Sequence, residues 1–153
     1  MKRAHRATRE GKRQAGCAEE RAFVDLLRTT DILARRVVYV LRPADLSPTQ
    51  YNVLRILRGS PDGLPCGEIA NRMITRDPDI TRLLDRLERR SLISRHRETE
   101  DRRMVVTRIS ASGLKLLGKL DAPVREAHRK QLGHLGRARL RELGELLSAA
   151  RGE

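Results

Sequence analysis

Between residues 47 and 109 the hydrophobic period of this chain changes from helical to alternating, and that change limits the fold more than any other feature. Ser47 can cap a helix with Pro48 at its first position, and Tyr51, Leu54 and Leu57 form its buried stripe up to Gly59. Pro61, Asp62 and Gly63 make residues 60–64 a turn. A short helix from about Cys66 to Ile74 then buries Ile69, Ala70 and Met73. Asp77 is placed to cap the next helix and Pro78 suits its first position, while Ile80, Leu83, Leu84 and Leu87 fall at i, i+3, i+4 and i+7. Beyond Leu92, residues 93–97 and 104–109 read as two short strands around the charged turn 98–103.

Longer helical patterns flank this block. Phe23, Leu26, Leu27, Leu33, Val37, Val40 and Leu41 recur at steps of three and four in residues 19–41, and Pro43 ends that helix. Ser110 can cap a fifth helix that runs through Leu114, Leu117, Leu120 and Val124 to about Leu132, with Pro123 expected to kink it. Gly133 and Gly136 interrupt the pattern before a last helix over residues 138–150, which carries Leu140, Leu143, Leu146 and Leu147 on one side. The fold class is therefore mainly α (α+β by strict count): six helices and a β-hairpin wing, a winged helix-turn-helix between long terminal helices. With 153 residues, one domain of ordinary core size is sufficient.

Charge narrows the partners. Thirty-three Lys and Arg against twenty Asp and Glu leave a formal net charge of +13, the balance of a protein that meets a polyanion. Part of the excess sits in residues 1–16, where Lys2, Arg3, Arg6, Arg9, Lys12 and Arg13 face only Glu10, a basic arm expected to be mobile. No apolar run reaches the roughly 20 residues that span a bilayer and no signal-peptide pattern opens the chain, so a cytoplasmic protein without a membrane partner is expected. Aromatic residues are 2% of the chain and Trp is absent, which removes the stacking platforms of single-strand binders and favours duplex DNA. Cys17 and Cys66 form no CxxC pair, and His5, His96, His128 and His134 are scattered, so neither a metal site nor a cofactor is expected. No phosphate loop, nucleophile elbow or paired carboxylate is present, which argues against an enzyme.

In a helix-turn-helix the second helix reads the major groove with its first residues, which makes Arg76, Pro78, Asp79, Thr81, Arg82 and Arg86 the candidates for DNA contact. Arg82 is the expected base reader, because a guanidinium pairs bidentately with guanine. Asp79 has three open roles: accepting from cytosine, positioning Arg82, or satisfying the helix dipole. Arg102 and Arg103, at the hairpin tip, suit the negative potential of a narrow minor groove.

Residues 46–113 resemble the MarR (multiple antibiotic resistance regulator) family of winged helix-turn-helix transcription regulators. The stretch Leu46-Ser47-Pro48-Thr49-Gln50-Tyr51-Asn52-Val53-Leu54 is similar to the family's second helix, Gly67-Glu68-Ile69-Ala70 to its third, and Thr81-Arg82-Leu83-Leu84-Asp85-Arg86-Leu87-Glu88 to its recognition helix. Most specific is Asp101-Arg102-Arg103 followed by Thr107, Ile109, Ser110 and Gly113, which resembles the family's wing and its entry into the fifth helix. The resemblance implies that Arg103 enters the minor groove, that Asp101 holds a wing arginine by an ion pair, and that Arg95 matches a strand arginine of the family. Ile109 and Ser110 replace the family's Leu and Thr. Ser91 stands where the family usually has Gly, so a left-handed helix end kept there would cost about 1 kcal/mol.

The resemblance further implies a bacterial regulator, usually a repressor, that binds a palindromic operator as a homodimer and answers to a small molecule held at an unknown site. Residues 17–45 and 111–153 would form the dimerisation helices and residues 46–110 the DNA-binding region; those terminal helices carry more Leu and Val than a small winged core can bury. The alternative is a nonspecific DNA-binding or protein-interaction winged-helix module. Some members of the family sense oxidants through a cysteine near Cys17, but the segment around it lacks the aromatic neighbours expected of such a sensor.

Overall fold

The computed structural model describes residues 17–75, 78–97 and 105–153. Expectations that fall on residues 1–16, on Arg76 and Asp77, and on residues 98–104, which include Asp101, Arg102 and Arg103, lie outside the described residues. Six helices are described: α1 (Ala18–Leu41), α2 (Pro48–Arg58), α3 (Cys66–Arg72), α4 (Ile80–Arg89), α5 (Ala111–Leu132) and α6 (Gly136–Arg151). Three short strands join them: β1 (Leu64–Pro65), β2 (Ile93–Arg97) and β3 (Val105–Ile109). The chain divides into two units at Arg35/Arg36. The first holds most of α1, a helix that opens with Glu19 and Glu20 and leaves Phe23, Leu27 and Ile32 exposed.

The second unit contains the core. Leu41 ends α1 fully buried, and a 3-10 turn over Arg42–Ala44 brings the chain to Asp45, a non-glycine residue at φ 49°. Ser47 and Gln50 then close a capping box at the head of α2, each side chain bonding the other's backbone N–H, with Pro48 in the first turn. Val53, Leu54 and Leu57 of α2 pack with Ile69 and Met73, with Leu83, Leu84 and Leu87 of α4, and with Leu117, Leu120 and Val124 of α5. Pro123 lies inside α5 without ending it. Leu114, which shares the helical pattern, is exposed.

One sequence expectation is extended and one is corrected. The two wing strands β2 and β3 pair antiparallel as expected, and β1 joins them, so that the order is β1-β3-β2, with Leu64 opposite Thr107 and Ile93 opposite Ile109. Gly63 makes this pairing possible at φ +83°, where a Cβ would meet Val106 Cγ1 at 2.5 Å. Secondly, α4 starts at Ile80 and its cap is Asp79, so Pro78 precedes the cap and does not hold the first helical position. Asp79 Oδ1 accepts from the Arg82 N–H at 3.3 Å, the i+3 geometry of an N-cap.

The helix end at Ser91 keeps the left-handed geometry that the sequence places in question, with φ 56°. Ser91 N–H donates to Glu88 O at 2.7 Å and Leu92 N–H to Leu87 O at 3.0 Å, the paired bonds that close a helix through a left-handed residue. This sharp stop turns the chain from α4 into β2. Gly113 lies against it: a Cβ there would sit 2.3 Å from Leu92 O, so only glycine lets α5 leave β3 at this angle.

Candidate nucleic-acid interface

The recognition helix expected from sequence is α4, and its two faces are chemically distinct. Ile80, Leu83, Leu84 and Leu87 pack inward. Pro78, Asp79, Thr81, Arg82 and Arg86 are exposed at its start and along its outer face. Asp79 has two contacts with Arg82: beyond the cap, its Oδ2 lies 3.0 Å from Arg82 Nε. Of the three roles open to this acid, the ion pair fits positioning of Arg82, and Asp79 adds to it the capping role that the sequence assigned to Asp77. The pair leaves the guanidinium edge of Arg82 presented at the head of the helix, its side chain 77% exposed.

Arg95 on β2 fixes this helix to the sheet. Its backbone N–H donates to Glu88 Oε1 at 3.1 Å, its Nε to Glu88 Oε2 at 2.9 Å, and its Nη2 reaches Asp85 as well. The hydrogen bonds from Arg95 hold the Glu88 carboxyl below its ordinary range despite partial burial. Two acids of α4 are therefore satisfied on the sheet side, and α4 and β2 form one ion-paired body.

Sequence reasoning missed two arginines with distant partners. Arg90 Nη2 donates to Ala44 O at 2.9 Å, and its Nη1 to Asp45 O, strapping the end of α4 to the joint before α2. Arg58 of α2 forms a bidentate pair with Asp121 of α5, at 3.0 and 2.8 Å. This bond lowers the Asp121 carboxyl pKa from its ordinary value. Beside it opens a cleft of about 210 Å³ bordered by Tyr51, Arg55, Arg125 and His128. No local pattern points to either strap, because the partners lie 46 and 63 residues apart.

Among the described residues no group of three His, Cys, Asp or Glu is placed to hold a metal, and no helix is long and apolar enough to cross a membrane. Cys17 is exposed and its Sγ accepts from the Glu20 N–H at 3.4 Å, while Cys66 is half-buried against the core.

Comparison with known proteins agrees with this architecture. The MarR family pattern matches residues 46–105. A solved MarR transcription factor from Planctomyces limnophilus is 41% identical, over 85% of this chain and 95% of its own, with a TM-score of 0.66. The HTH-type transcriptional regulator FarR of Neisseria gonorrhoeae is 26% identical over 125 residues, which cover 82% of this chain and 85% of that protein. The transcriptional repressor CouR, solved bound to a 23-mer DNA duplex, is 26% identical with a TM-score of 0.76, over 88% of this chain and 94% of its own. With its capped, cation-faced fourth helix tied to a three-stranded wing, and with relatives of this similarity, the chain belongs to the MarR family of transcription regulators, which are not enzymes.

Proposed function

We propose that this protein is a repressor that binds a palindromic operator as a homodimer and releases it when a small molecule binds. The observation that carries the reading is the exposed guanidinium of Arg82, held by Asp79 at the head of a helix whose other face is buried in the core. In this reading α4 enters the major groove, where Arg82 pairs with guanine while Pro78, Thr81 and Arg76 border the same base edges. In the same reading Arg103 enters the minor groove, with Arg102 as a second wing contact and Asp101 in support. Arg95 keeps wing and helix in register through Glu88 and Asp85.

Residues 17–45 and 111–153 serve as the dimerisation helices, and residues 46–110 as the DNA-binding region. A two-fold dimer sets its recognition helices about 34 Å apart, one turn of the duplex. The effector enters the cleft beside Arg58 and Asp121, where Arg55, Arg125 and His128 suit an anionic group and Tyr51 suits a ring. An effector carboxylate there competes with Asp121 for Arg58 and loosens α2 from α5. Residues 1–16 add nonspecific attraction to the duplex.

The test separates base reading from shape reading. Duplexes enriched by the protein from a random library provide the site, and affinities are then measured for Arg82→Ala and Arg103→Ala. Arg82→Ala should relax the preference at one base pair by about 1–3 kcal/mol, while Arg103→Ala should weaken every duplex and reduce the salt slope by about one unit. Equal effects of the two on all duplexes would leave a nonspecific binder in place of an operator-reading regulator.

A further inference from the structure

We propose that the concavity between the head of α2 and the C-terminal half of α4 seats a backbone phosphate of the bound duplex, so that α4 reads bases with its start and grips a strand with its end. This rests on the reading of α4 as the groove-entering helix. The concavity measures about 500 Å³ and is bordered by Asp45, Ser47, Gln50, Arg86, Arg89 and Arg90. Each of these side chains ends in a polar or charged group, and three of the six are arginines, so the lining favours an anion.

The charges of α4 sort by side. Asp79 is held by Arg82, and Asp85 and Glu88 by Arg95 of β2, which places the acids of this helix at its start and on the sheet side. Arg86, Arg89 and Arg90 are left on the flank toward α2. Arg90 is engaged with the Ala44 and Asp45 carbonyls and shapes the floor. Arg89 bonds the Asp85 carbonyl through Nε at 3.4 Å, which keeps both terminal amino groups for a ligand. Arg86 is exposed and has no carboxylate partner among the described residues. The one acid of the lining, Asp45, turns its carboxylate outward at 98% exposure, 3.9 Å from Arg90.

A phosphodiester fits this arrangement. It presents a compact anionic group to two guanidinium forks, and the capped head of α2 adds the positive end of a helix dipole. Arg82, Arg86 and Arg89 fall at i, i+4 and i+7, along one outer line of α4. A duplex that meets Arg82 in its groove therefore brings one strand past Arg86 and Arg89. Arg86 accordingly belongs to the backbone and not to a base edge.

The test uses the full chain and a duplex enriched by it from a random library, in which single phosphates are replaced one at a time by neutral methylphosphonates. For the wild type, one replacement in each half-site should weaken binding about tenfold, the loss of a charge-assisted hydrogen bond. Arg86→Ala and Arg89→Ala, with unchanged melting profiles, should bind the unmodified duplex about tenfold more weakly and lose nothing further from that same replacement. Losses that multiply at every position would overturn the proposal. So would inorganic phosphate raising the melting temperature of the wild type but not of Arg86→Ala while no methylphosphonate couples to Arg86, since the concavity would then take a free anion. If no duplex is enriched, the operator reading fails. The concavity is then judged on random duplex, where Arg86→Ala must reduce the salt slope by about one unit.

Discussion

At the residue scale, two positions show how much backbone geometry the sequence carries. Ser91 sits at φ 56° where glycine would be unstrained, and its side chain forms none of the bonds that close the helix end. Ser91→Gly should therefore raise stability by about 0.5–1 kcal/mol in a urea melt, the strain relieved less the extra entropy of a free glycine. A loss of stability would mean that the hydroxyl contributes to the turn. Gly113 is the opposite case: a methyl group would meet the Leu92 carbonyl at 2.3 Å, so Gly113→Ala should cost about 1–3 kcal/mol in the same melt. The left-handed helix end was legible because the family pattern has glycine there. The close approach at Gly113 was not, since it depends on how α5 crosses Leu92. The cap of α4 was misplaced for a related reason: Asp77 and Asp79 both precede a helical stripe, and only backbone geometry selects the one whose oxygen reaches the Arg82 N–H.

At the element scale, the periodic patterns of α2, α4 and the wing strands were enough to place them within a residue or two, because each buries one clear face. The two-residue strand β1 shows no period and became visible only through its pairing with Thr107 and Val106. The ties between elements were equally silent in sequence. Arg58 and Asp121 join α2 to α5, and the Asp121 carboxyl is lowered by that bond from an ordinary value of 3.8. A depressed carboxyl stabilises the fold above the unfolded pKa, and the contribution disappears as pH falls through the folded one. Because both side chains are 34% exposed, solvent screening keeps the effect near or below about 1 kcal/mol. Wild type should thus lose slightly more stability than Asp121→Asn as pH drops from 5 to below 3. Parallel curves would remove Asp121 from the account of that cleft.

At the scale of the whole molecule, exposed apolar side chains and uneven charge are the features the sequence announced. Phe23 and Leu27 are 61% and 56% exposed on α1, Leu146 is 63% exposed on α6, and no residue of α6 is buried. Helices that leave such faces in water fit a second copy of the chain. If the proposed dimer forms through these faces, Leu146→Glu should shift the sedimentation coefficient from dimer toward monomer at micromolar concentration and weaken DNA binding together with it; a wild type that sediments as a monomer would contradict the dimer, and an unchanged dimer in the variant would move the interface elsewhere. The proposed response to a small molecule has no such signature in the sequence, since the cleft beside Arg58 and Asp121 is made by side chains far apart along the chain.

The central claim is that the cationic face of α4 reads sequence and does not merely attract polyanion. Competition at moderate salt measures this directly, with the enriched duplex labelled and random duplex as competitor. The account predicts a preference of at least about 10³-fold, falling sharply in Arg82→Ala while binding to random duplex is nearly kept. A wild-type preference of only a few-fold would contradict it.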